Sequence, residues 1–241
     1  QGADGTSFPT IAGSGANGTM LHYETNQDVC EDGTLLLMDL GAKFNGYCAD
    51  ITRTYPVNGK YSERQRQVYE VVLAANRKVA EVAKPGMTLR ELNEITKDVL
   101  AEGCIRLGLI ENKDEIGTYY MHGVSHHLGI DVHDVTAAGS EKLQPGAIIT
   151  DEPGLYIEDA YGIRIESELL CRKGVKNEFG QFMYFQNLTC APIDLDAIDV
   201  NALTVTERRW LNEYHAAVYE TVAPHLTEDE RVWLRDVTRA I

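Results

Sequence analysis

The chain has 241 residues, 44% hydrophobic and 24% charged, a globular balance with ample material for a buried core and one large domain as its simplest organisation. Its formal net charge of −15 sets most of the surface against nucleic acid and anionic membranes, so neither is an expected partner. No apolar run approaches the roughly 18 residues of a membrane span, and five widely spaced cysteines with no C-x-x-C pair argue against a disulfide framework or a thiolate zinc site and fit a cytoplasmic protein.

The chain opens on a Gly- and Ser-rich run, "QGADGTSFPTIAGSGANGT", without an initiating methionine or a signal-like segment, which suggests a piece of a longer protein. Residues 33–57, "GTLLLMDLGAKFNGYCADITRTYPV", hold two β-prone runs around Asn45-Gly46, a strong hairpin signal. Helices are predicted after four capping boxes: Ser62 with Gln65, Thr88 with Glu91, Thr204 with Glu207 and Thr227 with Glu230. "KPG" at Lys84–Gly86 separates the first two. From residue 118, "TYYMHGVSHHLGIDVHDV", "GAIITDEPGLYI" and "GIRIESELLC" read as short strands and loops of a second sheet region. Strands, then helices, then strands predict an α+β domain. After "MYFQNLTCAPIDLDAID" the chain reads as helical, with Trp210, Leu211, Tyr214, Ala217 and Val218 forming a stripe that serves as core or as a partner-facing surface.

Four of the seven histidines lie in "MHGVSHHLGIDVHD", residues 121–134. Spacing alone leaves metal binding, proton handling and simple loop packing open. Asp39 and Asp50 sit on opposite arms of the hairpin. A two-residue loop sets Asp39 against Thr52 with Asp50 diagonal, and a four-residue loop sets Asp39 against Asp50; both place the carboxylates on one face. Like charges there call for a counter-charge, unless both sit at wet strand ends. In "GIRIESE", Arg164, Glu166 and Glu168 alternate with Ile163 and Ile165, which also fits an ordinary solvent-facing charged row. Glu152 falls between an apolar strand and a Pro-Gly turn, where backbone can pin its carboxylate. An oxygen-rich set with one imidazole suits two manganese-like ions better than structural zinc. His122 and His126 lack the H-E-x-x-H glutamate of a helical zinc pair, and nearby glycines disfavour the helix.

"NGTMLHYETN", "DLGAKFNGYCADITRTYP", "HGVSHHLGIDVHDV", "TDEPGLYI" and "GIRIE" stand in the order and spacing of the catalytic domain of Xaa-Pro aminopeptidases, and the chain resembles that family from about residue 9 to 170. These are pita-bread metallopeptidases, relatives of prolidase and methionine aminopeptidase. The resemblance implies an α+β pita-bread fold over residues 1–182, lacking its amino-terminal part, and a C-terminal helical extension over 183–241 packed on the same domain. It implies that Asp39, Asp50, His126, Glu152 and Glu166 ligate two divalent metal ions, Mn2+ first and Zn2+ or Co2+ as substitutes, with Asp50 and Glu166 bridging. A metal-bridging hydroxide would cleave the N-terminal Xaa-Pro bond of peptides with proline at the second position. Glu152 would pass its proton to the leaving nitrogen, His133 would donate to the carbonyl oxygen, and His22 would hold the leaving-side amide. His122 and Arg164 are expected at the substrate, Arg164 and Thr52 also behind the ligands, and His127 in packing. A homodimer is expected. Ser167 departs from the acidic residue or asparagine that relatives commonly carry after the last ligand. Two rivals stand beside this reading: a prolidase confined to dipeptides, and a non-catalytic pita-bread module that binds peptides or proteins.

Overall fold

The structure is a computed structural model that describes residues 2–84, 86–136 and 142–241. Pro85 of the "KPG" separator lies outside the described residues. The chain divides into two compact units, Gln1–Thr189 and Cys190–Ile241.

The first unit begins with β1 (Gly5–Thr6) and β2 (Ile11–Ser14), then the long hairpin. The hairpin comprises β3 (Leu35–Leu40), β4 (Ala42–Phe44), β5 (Tyr47–Cys48) and β6 (Ile51–Pro56). Asn45 and Gly46 turn it with φ of 49° and 81°, the left-handed pair of a two-residue type I′ loop. Asp39 therefore faces Thr52, and the four-residue alternative is not adopted. Two sheets share this hairpin, in the orders β2-β3-β6 and β1-β4-β5. Two helices follow, α1 (Glu63–Val82) and α2 (Leu89–Arg106), each with its predicted capping box formed. Their apolar faces meet the back of the second sheet region in a core of Val79, Leu92, Val124, Leu143, Ile149 and Leu169.

That region comprises β7 (Ile148–Asp151), β8 (Gly154–Ile157), β9 (Tyr161–Arg164), β10 (Ser167–Asn177) and β11 (Gly180–Asn187). They form a sheet in the order β11-β10-β7 and a β8-β9 hairpin. Two expectations are corrected here. Residues 119–136 hold no strand, only the bridges His127↔Asp134 and His127↔Ile149. Their backbone is satisfied partly by side chains, Val124 N–H by Asn93 Oδ1 and His126 N–H by Thr150 Oγ1, so the run is an ordered loop rather than a ladder. Nor is "GIRIESE" one strand with a wet face. The ladder breaks at Ile165–Glu166, and Arg164, Glu166 and Glu168 are 3%, 1% and 9% exposed.

The second unit carries α3 (Val205–Val222) and α4 (Glu228–Val237), again with both predicted capping boxes. The buried face of α3 is Leu211, His215 and Val218, while Ala217 of the expected stripe is exposed. Trp210 and Tyr214 are half-buried and stack on each other with centroids 5.8 Å apart. No helix among the described residues is long and apolar enough to cross a membrane.

Candidate metal centre

Asp50, His126, Glu152 and Glu166 stand at interruptions in regular structure, where a side chain can leave the sheet plane. Asp39 lies one residue before the end of β3, and Asp50 just before β6. Glu152 fills the gap between β7 and β8, Glu166 the gap between β9 and β10, and His126 the loop packed on β7. Main-chain bonds hold these breaks in place. Glu152 N–H donates to Val124 O at 2.9 Å, Glu166 N–H to Thr52 O at 3.0 Å, and Thr150 N–H to His126 O at 3.0 Å. Behind them, the buried amide of Asn76 on α1 donates to Asp151 O at 3.0 Å and Ile165 O at 3.4 Å, the carbonyls preceding Glu152 and Glu166.

All five candidates line one cleft of about 320 Å³, together with His22, His122, His133 and Arg164. Asp50, His126 and Glu166 each offer a ligand atom within 4.8 Å of the other two. His126 Nε2 also lies 3.4 Å from Glu152 Oε1 and 3.6 Å from Asp50 Oδ2. Asp39 is turned to Arg164, whose Nη2 donates to Asp39 Oδ2 at 2.6 Å. Arg164 Nε donates to Thr52 Oγ1 at 3.1 Å, and Thr52 Oγ1 donates to Glu166 Oε2 at 2.6 Å. Thus Arg164 touches the carboxylate set twice, directly and through one hydroxyl.

Hydrogen bonds settle two histidine tautomers. His126 Nδ1 meets the His127 carbonyl at 3.0 Å; a carbonyl only accepts, so Nδ1 carries a proton and Nε2 is the ring nitrogen that faces the carboxylates. His122 Nδ1 likewise donates to Gly123 O at 2.9 Å. Burial pulls His122 down to about 4, so its ring is neutral and Nε2 accepts from Tyr156 O–H at 2.8 Å. Arg164 Nη1 donates to that same phenol oxygen at 3.0 Å. His133 stands at the exposed mouth, its ring 4.3 Å from that of His126 and 6.3 Å from that of His22.

Burial dominates the electrostatics. It pushes Asp39 up to about 6 against the pull of Arg164 and Glu152 up to about 7 against His126 and Arg164. Glu166 is raised well above its usual range by burial and by its carboxylate neighbours. For His126 burial acts against the cation, yet Asp50, Glu152 and the His127 carbonyl leave it raised. Asp39 Oδ1, Asp50 Oδ1 and Glu166 Oε1 are buried and accept no hydrogen bond. Buried carboxylate oxygens left bare are costly unless a cation meets them.

The family model described as metallopeptidase family M24 matches residues 1–173, and the model of the C-terminal region of peptidase M24 matches residues 181–241. The chain belongs to metallopeptidase family M24. Among M24 relatives, a Xaa-Pro aminopeptidase of Escherichia coli (strain K12) is 37% identical over 228 residues, which span 87% of this chain and 49% of that protein. A Xaa-Pro dipeptidase of Pyrococcus furiosus is 37% identical over 173 residues, 70% of this chain and 46% of that one. In solved structures, proline aminopeptidase P II from Yersinia pestis superposes with a TM-score of 0.71 at 38% identity, covering 78% of this chain and 46% of that one. Zinc-substituted E. coli aminopeptidase P in complex with product gives 0.68 at 39%, covering 78% and 45%. The chain spans less than half the length of these relatives. The fold is thus the expected pita-bread fold, and an M24 metallopeptidase centre takes divalent metal ions. The bare oxygens of Asp39, Asp50 and Glu166 beside the His126 imidazole fit such ions.

The sequence alone gives no role to several residues that bond to the candidate ligands or beside them. Thr150 and Tyr156 both lie inside the quoted "TDEPGLYI" motif but carry no charge at neutral pH. Glu168 was visible only as the third member of an alternating row. Asn76 had a subtler signal, a polar residue on the same helical face as the buried Val72 and Val79. Asn93 had none.

Proposed function

We propose that this chain carries the catalytic centre of a Xaa-Pro aminopeptidase, which hydrolyses the bond between an N-terminal residue and a proline at the second position. The observation that carries this reading is the set of Asp50, His126 and Glu166 ligand atoms within 4.8 Å of one another, in a cleft that also holds His22 and His133. Asp39, Asp50, His126, Glu152 and Glu166 would hold two divalent ions. The oxygen-rich donor set favours Mn2+, with Zn2+ and Co2+ able to substitute. Bound ions of this kind bring the pKa of water toward about 7 and polarise a scissile carbonyl.

The remaining work falls to side chains. Glu152 accepts the proton of the attacking water and delivers it to the leaving nitrogen; its Oε1 is steadied by the Thr150 hydroxyl at 3.1 Å. His133 donates to the carbonyl oxygen as it becomes tetrahedral, and His22, next to it at the mouth, holds the leaving-side amide. Because His122 Nε2 is engaged by Tyr156, His122 shapes the wall of the substrate cleft rather than supplying a proton. Arg164 fixes Asp39 and, through Thr52, Glu166.

Release of the first residue from Xaa-Pro-Yaa tripeptides tests the assignment, with Xaa-Pro dipeptides in parallel. Cleavage of tripeptides is the expected result, and cleavage of dipeptides alone favours the prolidase reading, which the similarity to the P. furiosus dipeptidase supports. A non-catalytic module would bind Mn2+ no differently after Asp50→Ala, whereas the enzyme loses binding. The same reading includes a cytoplasmic homodimer, checked by light scattering on the purified protein.

A further inference from the structure

We propose that Glu168 is a positioning residue of the metal centre, its carboxylate holding the main chain at Asp50. This rests on the metal-binding reading above. In the hairpin, Ala49 N–H donates to Ala42 O at 3.0 Å and Ile51 faces Leu40. An antiparallel ladder alternates the direction of its N–H groups, so Asp50 N–H points away from β3, toward the outer side of β6. On that side the β9–β10 break supplies one main-chain bond, Glu166 N–H to Thr52 O. Among the described residues no main-chain carbonyl receives Asp50 N–H. Glu168 Oε1 takes that place, accepting at 2.6 Å in a setting where Asp50 and Glu168 are 4% and 9% exposed.

Glu168 is itself anchored. Its N–H donates to Thr189 Oγ1 at 2.8 Å, its carbonyl accepts from Leu188 N–H at 2.9 Å, and across the sheet it faces Thr150, the residue that steadies Glu152. A rigid residue therefore reaches from β10 to the one ligand that the hairpin ladder leaves loose. The requirement is an acceptor of this length, not a charge. Glutamine keeps the acceptor, whereas methionine keeps the length and removes it.

The test uses the metal-free full chain, Mn2+ itself as the probe, and three variants. E168M and E168L are expected to bind Mn2+ by calorimetry about 10–100-fold more weakly, the usual range for a lost outer-sphere partner, and E168Q within about threefold of the parent. Amide hydrogen exchange at Asp50, read without metal, is expected to be slow in the parent and in E168Q and fast in E168M and E168L. Unchanged Mn2+ affinity in E168M overturns the proposal, as does retained Asp50 protection. An equal loss in E168Q overturns it in favour of a need for charge. A parent that binds no Mn2+ removes the metal reading instead, and the Asp50 exchange comparison then decides alone whether Glu168 holds this residue.

Discussion

Thr52 shows how little redundancy the site has. It is fully buried, and its one hydroxyl accepts from Arg164 Nε and donates to Glu166 Oε2. Thr52→Val keeps the shape and leaves both partners unpaired, which costs about 1–3 kcal/mol; urea unfolding of the metal-free protein checks this. Mn2+ affinity should fall roughly 10–100-fold in the same variant. The cysteines give a second prediction at this scale. Cys30 and Cys190 are exposed, while burial pushes the Cys104 thiol up to about 11. With a thousandth or so of Cys104 as thiolate at pH 8, mass spectrometry after brief iodoacetamide treatment should find Cys30 and Cys190 labelled and Cys104 unmodified until the protein is unfolded.

At the scale of elements, the capping boxes were legible because their physics is local. Ser62, Thr88, Thr204 and Thr227 each bond the N–H three residues on, and each partner returns to the cap. Thr88 donors hold Glu91 below the usual glutamate range. A carboxylate depressed in the folded state contributes stability above its unfolded pKa of about 4.3, and that stability is lost as pH falls through the folded value. Glu91→Gln retains the geometry without the charge, so its melting temperature should change less than the parent's between pH 5 and pH 3. Gly103 lies inside α2, where helix propensity alone disfavours glycine. In the fold, a Cβ there would meet Val71 Cγ1 at 2.3 Å, where α2 crosses α1. Gly103→Ala should therefore destabilise by about 1–3 kcal/mol, against the roughly 1 kcal/mol that helix propensity alone would add; chemical denaturation gives the sign. The strands expected among the loops at 119–136 are absent because the run's partners, Asn93 and Thr150, are remote in sequence. The solvent-facing alternative for "GIRIESE" is not adopted, since the hairpin at 35–56 packs against its charged residues.

For the whole molecule, a hydrophobic core supports a cluster of carboxylates that repel one another, in a chain already carrying −15. Motif residues were legible as a set, and the structure gathers Asp39, Asp50, His126, Glu152 and Glu166 around one cleft. Of the residues behind them, Arg164 and Thr52 were legible, whereas Asn76, Glu168 and Tyr156 were not: their contacts reach partners 75, 118 and 34 residues away. A fold built around bare carboxylates should be stabilised by the ions that neutralise them. Mn2+ at about 100 times its Kd should add roughly 2.7 kcal/mol, seen as a raised melting temperature that a chelator reverses and that Asp50→Ala abolishes. The central claim is that five side chains distant in sequence clasp two divalent cations. An anomalous difference map from crystals grown with Mn2+ tests it directly. Two peaks are expected within the cleft, both contacted by Asp50 and Glu166, one also by Asp39 and the other by His126 and Glu152; a lone peak, or peaks outside this set of side chains, would rule out the paired site.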